Sequence, residues 1–352
     1  MTDYLSKKLS FFSFWLMLGV VVLHSVILDD SSLPSVVQRF ISYYLLQICV
    51  PMFFMISGYL FFLNVKDMSF TLYLEKLRKR FKTLVLPYFI WSLFIFALIY
   101  LLQQLPFFGG FFPQKFSEMD NIEIVKNAII YPYNYPLWFL RELILFIILT
   151  PLIYFCLRYI GKLFLLALFL FGLFQDSFFY YHIHIIHVNS LLFFALGGYL
   201  GLSKHKLIFS NRLTLLSGVL FIILNLLCFL YDEKILFIHT DDSIIPIIFK
   251  FFRSFKNLAG SLFVWLLFDF IMKTKKIFSP RKYYKYSFFI FLIHGVPTVI
   301  FVKICQKFLF NPYVSFVFYL FVPTTIILLC VIFGHFLEKN YKHLYKTITG
   351  MR

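Results

Sequence analysis

Charge is what this sequence has least of. Asp, Glu, Lys and Arg make up 14% of its 352 residues, where a globular domain holds about a quarter. Hydrophobic residues account for 61%, and the mean hydropathy is +0.85. A soluble fold has no place for that much apolar surface, and a disordered chain would not contain it, so both classes are excluded. Cysteine is sparse as well. Cys49, Cys156, Cys228, Cys305 and Cys330 are dispersed, mostly inside apolar runs, with no Cys-x-x-Cys pair. That spacing points to neither a disulfide framework nor a zinc knuckle. No internal repeat is visible, and residues 1–352 read as a single integral-membrane domain.

What is abundant is phenylalanine, 52 residues of it. A helix needs about 20 apolar residues to cross the hydrocarbon core. Ten runs come close, at about 10–28, 40–63, 84–103, 137–157, 162–180, 190–202, 213–231, 257–272, 286–305 and 313–337. The expected fold is therefore all-α, a polytopic membrane protein with about ten transmembrane helices. The first run follows Lys7-Lys8 but lacks a small-x-small cleavage site, so it reads as an uncleaved span rather than a signal peptide. The sixth is short, and its Gly197-Gly198 and Gly201 indicate tight helix contact.

The net charge of +17 invites a nucleic-acid reading. The cations argue otherwise, because they fall in short blocks between apolar runs, as in cytoplasmic loops. With the N-terminus inside, 23 of the 33 Lys and Arg lie on cytoplasmic segments and the other 10 outside. Most acids fall outside, among them Asp29-Asp30, Asp232-Glu233 and Asp241-Asp242. Both termini are expected in the cytoplasm, with the lipid bilayer rather than nucleic acid as the partner.

Ionisable groups inside spans are costly and by default mark function. His24 sits in the outer half of the first run. On a helix Ser13 lies about 20° from it and Ser10 about 40°, which makes one polar stripe. An imidazole suits a general base, and the alternative is a histidine that only packs. His294 precedes Pro297, which cannot donate to the carbonyl of Ile293; a broken helix there either lines a cavity or is a kink satisfied by a Ser or a water. Measured along their helices, His294 is about 13 Å above Lys285 and His24 about 24 Å above Lys8. The two need not touch, and they fit one shaft lined at different depths.

Arg141-Glu142 follows Leu137-Trp138-Phe139-Leu140 and is either a helix anchor or the rim of a substrate site. The loop Lys76 to Lys82, with Arg78, Lys79 and Arg80, is a topology signal, an anionic-lipid contact or a phosphate clamp; Lys273 to Lys285 offers the same choice. Lys250, Arg253 and Lys256 share a helical face and would meet a lipid headgroup or a lipid-linked phosphate. His182, His184 and His187 raise a metal site, but their spacing is irregular and no metal is expected.

Several of these segments, in order, resemble the acyltransferase-3 family, polytopic O-acyltransferases of bacterial surface polysaccharides. The run ending Val22-Leu23-His24-Ser25 matches the family's proposed catalytic His. Val50-Pro51-Met52-Phe53-Phe54-Met55-Ile56-Ser57-Gly58-Tyr59-Leu60 is the most specific match. Arg80 with Leu86-Pro87-Tyr88, Leu137-Trp138-Phe139-Leu140, Leu196-Gly197-Gly198-Tyr199 and Ser287 to His294 also fit. Two departures stand out. Ser10 and Ser13 occupy positions where many members have Asp and Arg, and Thr83 stands where an Arg often follows Arg80.

The resemblance implies transfer of an acyl group, acetyl above all, from cytoplasmic acyl-CoA to a hydroxyl of a surface or lipid-linked polysaccharide, at a bacterial plasma (inner) membrane. His24 and His294 would be catalytic. Arg78, Lys79, Arg80 and Lys82 would hold the donor's phosphates. Ser57, Tyr59, Trp138, Arg141 and Glu142 would wall the substrate site, and polysaccharide-assembly proteins would be partners. A transporter or flippase of a polysaccharide unit would use the same polar shaft. A structural partner with a dead site is the third reading.

Overall fold

The structure, a computed structural model, describes residues 3–105, 116–178, 186–203, 210–234, 244–274 and 282–351. Among these it is all-helical, with no strand. The α-helices are α1 Asp3–Leu23, α2 Leu33–Arg39, α3 Cys49–Phe62, α4 Phe70–Arg80, α5 Leu86–Gln103, α6 Asn121–Ile129, α7 Leu137–Ile148, α8 Thr150–Phe178, α9 Val188–Leu202, α10 Asn211–Asp232, α11 Ile244–Thr274, α12 Ser287–Ile293, α13 Gly295–Phe308, α14 Pro312–Asn340 and α15 Lys342–Ile348. Helix forms in all ten apolar runs. Among the described residues, seven helical segments are long and apolar enough to cross a membrane, or eight if the bent pair Lys282–Ile293 and Gly295–Phe308 is one span. The chain is thus a multi-pass membrane protein.

The difference from ten has physical sources. α7 is only 12 residues and α9 only 15. α8 runs through a break at Ile160 (φ −131°, ψ 29°), between Arg158 and Lys162, where the sequence marks a boundary between two runs.

The Lys76–Lys82 block is helical rather than a loop. Ser69 caps α4 through a bond from the Leu72 amide, and α4 widens into a π-helical turn over Phe81–Val85 that leads into α5. Lys, Leu, Glu and Arg are good helix formers, and Pro87 is tolerated because it falls in the first turn of α5. The expected kink near Pro297 is present: the helix breaks at His294, and its halves bend by 70°.

α3 and α9 meet backbone to backbone. A Cβ on Gly58 would lie 1.9 Å from the Phe194 carbonyl oxygen, and one on Gly197 would lie 1.9 Å from that of Met55. Only glycine permits this approach, which explains why Ser57-Gly58-Tyr59 and Gly197-Gly198 belong together. Lys8, on α1, is buried and paired with Asp269 of α11 at 2.9 Å, beneath the Trp265 ring at 4.3 Å. α1 is thereby tied to α11; it also packs against α3 and α14, and one face is left for the site.

Candidate active site

That face is set by an aromatic contact. The Phe14 ring stacks on Tyr284 at 4.7 Å, and Trp15 Nε1 donates to the Tyr284 hydroxyl at 3.3 Å. From this level α1 and the 282–293 segment climb side by side, ten residues each, or about 15 Å. They arrive at His24 and His294, whose rings lie 5.9 Å apart with 29° between their planes. The histidines are therefore level, not at different depths. Measuring from Lys8 and Lys285 misleads because Lys285 adjoins Tyr284, whereas Lys8 is six residues below Phe14.

The tautomer of His294 follows from its partners. Nδ1 lies 3.0 Å from the carbonyl oxygens of both Ile290 and Phe291. A carbonyl can only accept, so Nδ1 carries the proton and Nε2 the lone pair. His294 is fully buried and Nε2 has no hydrogen-bond partner. The amide of Asn134 donates to the Leu292 carbonyl at 2.8 Å, beside the helix break. His24 is half-buried; its ring makes no hydrogen bond among the described residues and meets the Tyr135 ring edge-on at 4.7 Å.

A cavity of about 390 Å³ runs from His24 toward the opposite end of the bundle; His294 lies behind His24 and is not among the lining residues. Ser6, Ser10, Ser13 and His24 all line it, so the stripe read from the sequence is real. From Ser6 to His24 is 18 residues of α1, or about 27 Å, which makes the cavity long and narrow. Its far end is flanked by Arg80 and Lys285. Arg80 is half-buried, and its side chain makes no ion pair or hydrogen bond among the described residues.

The other expected site residues divide. Ser57 and Trp138 line the cavity, while Tyr59 is not among its lining residues and sets its ring against Trp265 at 5.5 Å. Arg78, Lys79 and Lys82 are exposed and outside the lining. Arg141 donates to the Ile130 carbonyl at 2.6 Å and lies over the Tyr131 ring. Glu142 is fully buried against His187, whose ring meets Trp138 edge-on at 5.4 Å. In the sequence His187 reads only as part of a metal run, and His182 and His184 lie outside the described residues. The missed signal was the Glu: a carboxylate in an apolar helix needs a partner. Asn134 and Tyr135 were missed too, although Tyr133-Asn134-Tyr135-Pro136 is a polar cluster directly before a span.

The expected lipid-phosphate face does not assemble. Lys256 is buried near Asn225 at 3.3 Å and the Tyr44 ring at 4.9 Å, and Arg253 pairs with Asp232. Among the described residues no cluster of three His, Cys, Asp or Glu could hold a metal ion.

The family model described as "Acyltransferase domain", acyltransferase 3, matches residues 11–335. The chain belongs to that acyltransferase family. The match takes in most of the cavity lining, from Ser13 to Phe291, together with His294 and α3, α7, α9 and α12; Ser6, Leu9 and Ser10 precede it. The succinoglycan biosynthesis protein ExoH of Rhizobium meliloti (strain 1021) is 28% identical over 158 residues, 42% of this chain and 42% of that relative. The match therefore spans under half the length of that relative. No solved structure matches the chain.

Proposed function

We propose that this acyltransferase moves an acyl group, acetyl in the first instance, from acyl-CoA to a hydroxyl of a polysaccharide or lipid-linked glycan, in the plasma membrane of a bacterium. The observation that carries the reading is the cavity that joins Arg80 at one end to His24 at the other. A narrow shaft admits an unbranched thioester arm and excludes a sugar. The donor's phosphates would stay at the basic end, where guanidinium and ammonium groups make charge-assisted bonds. With that end in the cytoplasm, as the distribution of Lys and Arg favours, donor and acceptor would approach from opposite sides.

His24 is the base in this reading. Its unbonded ring takes the proton of the acceptor hydroxyl as the oxygen attacks the thioester carbonyl. When the tetrahedral intermediate collapses, the C–S bond breaks and the thiolate recovers the proton from His24. Atoms and charge balance, and no metal is needed. His294, with a bare Nε2 lone pair beside it, stabilises the His24 imidazolium or orients the hydroxyl. Trp138 and Ser57 wall the site. Glu142, Arg141 and Tyr59 support that wall from behind, and Arg78, Lys79 and Lys82 add a basic field at the mouth. The printed name of the ExoH relative favours a polysaccharide acceptor, with polysaccharide-assembly proteins as neighbours.

The test is compositional. Surface glycans of a strain lacking the chain should lose base-labile esters, and the unaltered chain should restore them. Restoration of glycan export with no change in ester content would favour a transporter instead.

A further inference from the structure

We propose that Lys285 is a second ligand for the donor's phosphates and that Glu338 controls its availability. The proposal rests on reading the basic end as the place where acyl-CoA is held. Arg80 and Lys285 both line that end of the cavity, but their situations differ. Arg80 faces it with no partner among the described residues. Lys285 Nζ is gripped by both carboxylate oxygens of Glu338, on α14, at 2.7 and 2.6 Å.

The grip is of a kind that can be exchanged. Lys285 and Glu338 keep 53% and 32% of their side-chain surfaces exposed, so the pair is screened by water and weak. A phosphate carries more charge than a carboxylate and offers more acceptor oxygens. Glu338 is also tethered independently. The Tyr286 hydroxyl donates to its Oε2 at 2.6 Å, and because that uses the single phenolic proton, the 3.1 Å contact of His335 Nδ1 with the same hydroxyl is a donation from the ring. When Lys285 leaves, the carboxylate keeps a partner and stays on α14, while the flexible lysine turns to the cavity. Glu338 thus competes with the donor for Lys285. It lowers affinity for a phosphate-bearing donor and has no effect on one without phosphates.

The experiment is a binding measurement on the full chain in lipid nanodiscs, with CoA and with phosphate-free pantetheine as ligands. Glu338→Gln removes the charge and keeps an acceptor for Tyr286. It should bind CoA about two- to fivefold more tightly. Lys285→Ala should bind CoA about tenfold more weakly, and Lys285→Met, which keeps the apolar stem, should behave alike. In the double variant Lys285→Ala/Glu338→Gln the gain should vanish, because the latch has nothing left to hold. Pantetheine binding should be the same throughout. If Arg80→Ala weakens CoA binding while Glu338→Gln and both Lys285 variants bind as the unaltered chain does, Lys285 is no ligand and the basic end remains the donor site. If the unaltered chain does not bind CoA at all, the donor reading fails and this proposal fails with it.

Discussion

The two ends of the cavity are built on opposite principles. At the His24 end, rings are held by packing: Tyr135 edge-on to His24, His294 beside it, and His294 anchored through Nδ1 to two carbonyls of its own helix. At the basic end the groups that line the cavity, Arg80 and Lys285, are half-buried or exposed, and held by one weak pair or by none. Bond-making needs groups fixed within fractions of an ångström, whereas a polyanion needs cations that remain free to meet it. Lys8 sharpens the contrast. It lies near the same end but is buried, bound to Asp269 and covered by Trp265, so it serves the fold rather than a ligand.

Substitutions at each place should keep these roles apart. The largest loss is expected from His24→Gln, which keeps most of the volume but cannot accept and return a proton. Glycan ester content, normalised to protein in the membrane, should fall by about a hundredfold or more. Near-normal esters at equal expression would make His24 a packing residue, with His294 the next candidate base. Next comes Asp269→Ala, which leaves Lys8 buried without its counter-charge. Thermal unfolding in detergent should show a loss of about 3 kcal/mol, with transfer unchanged per folded molecule at low temperature. A drop in turnover without a drop in stability would place Lys8 and Asp269 in the chemistry instead.

Arg80→Ala should follow, with the KM for acyl-CoA raised about ten- to hundredfold and kcat little altered, as expected for loss of a charge-assisted phosphate contact. The smallest effect should come from Lys79→Ala, one position away but exposed and outside the cavity lining: less than about a twofold change. Equal effects at positions 79 and 80 would mean that the whole block acts as a diffuse field and that the cavity does not select Arg80.

Much of this was legible in the sequence. Apolar runs gave helices where they stood, because in a membrane every backbone group must be satisfied within its own segment. The Ser10, Ser13 and His24 stripe survived because helical periodicity fixes a face without help from neighbours. Pro297 marked the break because a missing donor is a local fact. The glycines of α9 marked its close contact with α3, but most of what else is set between helices did not show. The level of His294 depends on Phe14 stacking on Tyr284, a contact across 270 residues of sequence. Tyr59 turned away from the cavity because Trp265 was there to receive it. Glu142 found His187, and Lys285 found Glu338, through packing that no periodicity encodes.

The most direct measurement follows donor through the cavity. Ser13 lines it, eleven residues of α1 below His24. In a background with the five native cysteines replaced, Ser13→Cys can be titrated with a small thiol reagent in the presence and absence of acyl-CoA. Acyl-CoA should slow the labelling of position 13 and leave a cysteine at the exposed position of Leu216 unaffected, and labelling at 13 should abolish transfer. If the Ser13→Cys chain transfers normally yet labels at the same rate with saturating acyl-CoA, the donor takes another route and the cavity is not its path.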